Sequence, residues 1–382
     1  MDTAGNADHT LDGKAGEAPL TELRELSFRL HTNFESIEHN WRQLEQMPWV
    51  SPHQSLHWCK AWVATHASEL AILEGHSSGE THVILPLEII QRGPFRTAQF
   101  IGTLHSNLNT GLFTLEHGVD LRRALKGIAD LVILDRLPSI VADKPNPLVI
   151  SGSVRNQNSA FQLTLRPTME ATLQQLNAKR RRKKFSLSQR RMQALGGYSY
   201  VIATTPEEHR GFLDAFFEQK AARFQSLDLP EVFGQESIKA FFQTLAAENS
   251  DLLQMNAIRL QDGSNTLVAI AGLTHKGGRT LCQFSSINET VADASPGELL
   301  FYHMIERACQ TGQTVFDFGI GDQAFKRSWC TVETPHYDTV VPLTWKGHIG
   351  AALYRLRNRL LTALKTHLRL YSLIQSARRR LS

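Results

Sequence analysis

The chain has 382 residues, 42% apolar and 20% charged, with a formal net charge of +4. That is too long for one average domain, so two are expected. No apolar run approaches the roughly 20 residues of a membrane-spanning helix, and the first 20 residues lack the apolar core of a signal peptide.

Residues 1–20, rich in Gly, Ala, Asp and Thr, read as a flexible tail. Residues 25–31 read as a strand, 34–46 and 54–66 as helices, and 70–75, 81–90 and 97–102 as strands. Residues 119–135, including LVILDRL, read as a helix, and 161–167 (FQLTLRP) as a strand. A polar-to-basic helix is expected from Met169 to Leu195, stopped by Gly196-Gly197. The second half repeats the plan: strand 198–205, helices 206–225 and 235–248, and strands 252–263, 266–278 and 279–287. Helix 296–311 and strands 314–318 and 336–345 complete it. Two mixed α/β domains of related plan follow. They are expected over 21–167 and 198–346, joined by a basic helix over 168–197 and followed by a basic amphipathic helix over 347–382.

The four cysteines, Cys59, Cys282, Cys309 and Cys330, have no C-x-x-C spacing. This speaks against a disulfide framework or a clustered zinc site, so no metal is expected, and it fits a reducing cytoplasm. Charge is uneven. Lys179–Arg191 holds eight Lys or Arg and no acid, and Thr339 to the end holds nine and no acid. For the first segment a solvated helix face, an anion contact and nucleic acid all stay open, the last the least favoured because only Phe185 interleaves the bases. In the second, Leu353, Leu356, Leu360, Leu364, Leu368 and Tyr371 recur at helical spacing. That stripe suits either docking on the protein's own acidic body or peripheral contact with an anionic membrane at its inner face.

Ser295-Pro296-Gly297-Glu298 reads as a capped helix start, with Glu298 reaching back. By itself this is also what an ordinary capped helix looks like, while its free N–H groups suit a phosphate. If strands 279–287 and 314–318 are parallel neighbours with helix 296–311 as their crossover, a ligand belongs at their carboxyl ends. Gly319 and Gly321 then turn the backbone out beside it.

The run from Leu281 through SPGELLFYHMIERACQTGQTVFDFGIGDQAFKRSW resembles the C-terminal half of the CelD/BcsL-like acyltransferases, a GNAT-superfamily group tied to bacterial polysaccharide biosynthesis. SPHQSLHWCKAWVATHA, VILPLEII and FRTAQFIGTLHSNLNTGLF are similar to its N-terminal half, and the whole looks like the tandem-GNAT FemAB-type transferases. The resemblance covers roughly residues 40–345. It implies two tandem GNAT-like domains and an acyl-CoA co-substrate, acetyl-CoA in the simplest case. Its pantetheine would pair with Gln283, Phe284, Ser285 and Ser286, and its pyrophosphate would rest on Ser295, Gly297, Glu298 and Leu299, with Gly319 and Gly321 alongside. The superfamily's usual Q/R-x-x-G-x-G/A loop is absent, since Val291–Gly297 has one glycine and no basic residue.

The expected reaction is direct acyl transfer to an amine or hydroxyl of a saccharide, lipid-linked or other small acceptor. Asp322 is the first candidate for base or acceptor orienter, Asp317 the second, and Lys326 stabilises developing charge. Each also has a plain structural reading: Asp322 as a helix cap, Asp317 as a paired structural acid, Lys326 as a solvated charge. Two rival functions stay open. One is a catalytically silent GNAT scaffold of a polysaccharide-synthesis complex. The other is a FemAB-like transferase taking its donor from charged tRNA.

Overall fold

The computed structural model describes residues 26–114, 119–248 and 252–366. Strands of three or more residues are β1 Ser27–His31, β2 Ile72–Ser77, β3 Glu80–Leu85, β4 Leu87–Arg92, β5 Phe95–Phe100, β6 Leu131–Pro138, β7 Ala160–Thr164, β8 Tyr198–Ile202, β9 Gln254–Leu260, β10 Leu267–Lys276, β11 Arg279–Ile287, β12 Val315–Ile320, β13 Val332–Thr334 and β14 His336–Pro342. Helices are α1 Glu38–Leu44, α2 Leu56–Thr65, α3 Leu121–Ala124, α4 Met169–Leu173, α5 Ala178–Ala194, α6 Pro206–Ser226, α7 Glu236–Glu248, α8 Pro296–Gln310, α9 Ala324–Trp329 and α10 Trp345–Thr366. The mixed α/β class holds.

Three expectations need correction. The helix over 119–135 is only α3, and LVILDRL is β6, a central strand. Both its faces are apolar because Leu131 and Ile133 meet α10 while Val132 and Leu134 face the first-half core, so its pattern mimics a helix. The run 81–90 splits at Pro86 into β3 and β4, which lie in different sheets. The 169–195 helix breaks at Asn177, whose side chain caps α5 by accepting from the Arg180 amide.

The sheets do not follow the order of the chain. The second sheet runs β8-β9-β10-β11-β12-β7-β13, and the first holds β14-β6-β5-β4. Strand β7, from the end of the first half, therefore pairs with β12, and β14, from the end of the second half, pairs with β6. The halves exchange their last strands, β7 lying between β12 and β13 in the second sheet and β14 beside β6 in the first. Phe241, Phe242 and Phe284 from the second half share one core with Trp41, Trp58 and Trp62 of α1 and α2, so the halves are also fused through packing.

Each half has one parallel pair: β5 with β6, and β11 with β12. In the second sheet α8 is the crossover between β11 and β12, and its inner face buries Leu299, Leu300, Met304 and Ile305.

Candidate active site

The β11–β12 ladder lasts only three residue pairs, Arg279–Val315, Thr280–Phe316 and Leu281–Asp317. Both strands continue, to Ile287 and Ile320, without pairing to each other. They part after Leu281. A bulge at Gln283, opposite Gly272 and Leu273 of β10, marks the start of the parting. Gly272 is required there, because an added Cβ would lie 2.6 Å from the Phe284 ring.

The gap opens into a cleft of about 880 Å³. Gln283, Phe284, Ser285 and Ser286 form one wall. Phe318, Ile320 and Lys326 form another, and Ser295, Gly297 and Glu298 lie at the start of α8. Of the expected ligand-binding residues, Leu299, Gly319 and Gly321 do not line it. Leu299 is fully buried in the core. Gly319 has φ +70° and stands where a Cβ would meet Asn107 at 3.2 Å and the Cys282 carbonyl at 3.4 Å, so its role is close approach of two backbones.

Of the three catalytic candidates, only Lys326 lines the cleft. It is buried rather than solvated, and its Nζ donates to the Ile320 carbonyl at 2.7 Å; burial lowers its pKa from the usual lysine value. Asp317 is a structural acid at the fork of the strands. It accepts from the Gly319 amide at 2.8 Å, from Gln162 of β7 at 2.9 Å and from Arg279 at 2.6 Å. Asp322 is exposed, away from the cleft wall, and holds Arg327 through contacts of 2.5 and 2.9 Å.

The helix start also differs from expectation. Ser295 sits at φ +57° and makes no side-chain cap. Ser188 of α5 instead donates to the carbonyls of Ala294 and Ser295 at 2.6 and 2.8 Å, and Arg191 bonds the Asp293 carbonyl. Glu298 does not reach back. It pairs with buried Arg181 at 2.6 Å, whose guanidinium lies over Trp329 at 4.2 Å. Part of the basic helix thus holds the α8 entrance in place.

Several cleft residues escaped the sequence reading. Gln219, Lys220, Arg223 and Phe224 project from α6 at helical spacing, with Leu227 at its C-terminal cap. Lys220 is largely buried, with its pKa lowered by desolvation, and its ammonium lies over the Phe224 ring. Arg223 pairs with Glu289 at 3.2 Å. From the first half, Asn107 donates to the Gln283 carbonyl at 2.9 Å. His53 Nε2 lies 2.5 Å from Gln283 Oε1, and the Gln283 amide donates to the His105 carbonyl. The loop 103–110 therefore clamps the bulge.

No cleft thiol is poised as a nucleophile, since burial pushes the Cys282 thiol up to about 12. Among the described residues no cluster of His, Cys, Asp and Glu could hold a metal, and no helix is long and apolar enough to cross a membrane. The equivalent gap between β5 and β6 has a different lining. There the end of β6 is bonded to loop 103–109 through Asp135, which accepts from Thr103 and Asn109, and Arg136, which donates to the carbonyls of Thr103 and Ser106.

Parted parallel strands with a crossover helix starting at their open end are the arrangement that the sequence resemblance implies. Residues 179–327 match the acetyltransferase (GNAT) domain family. No curated protein matches the chain. Among solved structures the chain is similar to FemX, at 13% identity, with 87% of this chain and 100% of that one covered and a TM-score of 0.56. It is also similar to L-PGS from Bacillus licheniformis, at 12% identity, 87% and 98% coverage and a TM-score of 0.53. A conserved protein of unknown function from Bacteroides thetaiotaomicron VPI-5482 matches at 11% identity, 82% and 100% coverage and a TM-score of 0.52. At these identities the likeness is one of fold. The CelD/BcsL-like subtype rests on the sequence resemblance alone.

Proposed function

We propose that the chain is an acyl-CoA-dependent acyltransferase, with acetyl-CoA the simplest donor and an amine or hydroxyl of a saccharide or lipid-linked molecule as acceptor. The observation that carries this reading is the parting of β11 and β12 after Leu281, which leaves strand backbone facing a cleft instead of a neighbouring strand.

The residues fit an acyl-CoA in a modified way. The Val291–Gly297 loop has no basic residue, but Lys220 and Arg223 bring positive charge into the same cleft from α6. These two would hold the phosphates, together with the amides at the start of α8. Gly297 leaves room between that start and β11, where a Cβ would come within 3.2 Å of Ile287. Lys326, held at the open end of β12, is placed to stabilise charge developing on the thioester oxygen or to protonate the leaving sulfur. Cys282 keeps its proton, which supports direct transfer without a covalent enzyme intermediate. Asp317 shapes the fork and acts through position rather than proton transfer.

One observation favours the silent-scaffold reading: the Asn107 amide already occupies the Gln283 carbonyl that a pantetheine arm would use. Binding separates the two. Acetyl-CoA at 100 times its dissociation constant adds about 2.7 kcal/mol to stability. A clear thermal upshift, together with CoA release in the presence of amino sugars, supports the transferase. A melting temperature unmoved by millimolar acetyl-CoA refutes it.

A further inference from the structure

Helix α10 has two apolar faces, and only one is used by the fold. On its inner side Ala351 is fully buried, Gly350 lies against Phe95 and Leu131, and Gly347 packs so closely that an added Cβ would run into the Asp130 carbonyl. Tyr354 donates to Asp338 at 2.9 Å, Asn358 to the Arg155 carbonyl at 2.9 Å and Arg355 to the Val340 carbonyl at 2.9 Å. This side fixes how the helix is mounted.

On the other side, Trp345, Ile349, Leu353, Leu356 and Leu360 are 50–71% exposed. At about 100° per residue these five fall within an arc of about 80°, a continuous line along four turns. The other exposed large apolar residues are scattered along the chain. The expected leucine stripe is thus turned outward over its described part and is not docked on the protein's own acidic body; Leu368 and Tyr371 lie outside the described residues. Lys346 and Arg357 border the stripe on one side and Arg359 on the other, and the sequence from Thr339 to the end contains no acid.

We infer that α10 is an interfacial anchor that lays the Trp345–Leu360 stripe into the headgroup–acyl boundary of an anionic lipid bilayer. An apolar stripe flanked by bases matches the two layers of such a surface: acyl chain beneath the leucines, anionic headgroup beside the bases. Trp345, with its broad apolar indole ring and one N–H, suits that boundary. A second copy of this chain is a poorer partner, since face-to-face helices would bring like charges together along both rims. The inference does not depend on the acyl-transfer reading.

The test is flotation of the full-length protein with vesicles of phosphatidylcholine alone and of phosphatidylcholine with 30% phosphatidylglycerol. The protein is expected to float with the anionic vesicles only, and to be released by high salt. Each basic residue near the surface contributes about fivefold, so Arg357→Glu with Arg359→Glu lowers partitioning by more than about tenfold. Leu353→Glu with Leu356→Glu lowers it at least about as much through loss of apolar burial. Because these side chains are exposed, far-ultraviolet circular dichroism and melting temperature stay unchanged. Wild-type protein that fails to bind anionic vesicles overturns the inference. So does a leucine pair variant that floats like wild type, or a stable dimer that the same variant dissociates while vesicle binding is absent.

Discussion

Asp317 is the residue on which the forked sheet turns, and removing its carboxylate gives a sharp test. Its oxygens hold three groups from three places: the Gly319 amide of its own strand, Gln162 of the exchanged strand β7, and Arg279 of β11. Hydrogen bonds to a charged group contribute about 1.5–3 kcal/mol each, and a buried donor left without a partner costs about 1–3 kcal/mol. The three are unequal. Arg279 is one-third exposed and turns to water, so its share is discounted. Gln162 is partly exposed and also rearranges. The Gly319 amide is buried and loses its acceptor outright. Asp317→Ala should therefore cost about 3 kcal/mol, and Asp317→Asn, which keeps an acceptor for Gly319, about 1–2 kcal/mol. The assay is urea denaturation followed by tryptophan fluorescence, comparing midpoints at constant slope. A loss below about 1 kcal/mol for Asp317→Ala would refute the view that this carboxylate ties the fork together.

Other outcomes follow from the same geometry. Asp322→Ala, which removes an exposed carboxylate paired with Arg327, should leave acyl-transfer turnover within about twofold, and a hundredfold loss would return Asp322 to the chemistry. Lys220→Ala should raise the acetyl-CoA dissociation constant about tenfold by calorimetry with little change in fold, and unchanged affinity would remove Lys220 from phosphate binding. Cys282 should resist iodoacetamide at pH 8 in the native state, as followed by mass spectrometry, and rapid alkylation would contradict its buried thiol. His53, His105 and His336 each have a pKa lowered to about 4 by burial. The folded form therefore disfavours their protonation, so stability is full above about pH 6.5 and falls as pH drops toward 4. A melting temperature flat across that window would be inconsistent with three buried neutral imidazoles.

Much of the second half was legible in the sequence. The order strand, two helices, three strands, helix, strand was recoverable because these elements carry local signals: Pro206 and Pro296 at helix starts, Gly196-Gly197 at a helix end, and β-branched and apolar runs between. Gln283–Ser286 and the α8 entrance followed from the same order together with the resemblance. What escaped depends on distant partners. Exchange of β7 and β14 leaves no trace in either strand's own pattern, since a strand's period says nothing of which sheet it joins. LVILDRL misled because a strand covered on both faces loses its alternation. Lys220 and Arg223 carry no local signal of a site, and only the fold turns them into the cleft. Asp322 stood out beside two glycines, yet its nearest cation, Arg327, lies five residues on and claims it.

The most direct test is a crystal structure of the protein soaked with coenzyme A. The expected result is a pantetheine arm lying between residues 282–287 and 318–320, the Asn107 amide displaced from the Gln283 carbonyl, and phosphates against Lys220, Arg223 and the start of α8. An undisturbed Asn107 contact with an empty cleft, or coenzyme bound elsewhere, would contradict the account.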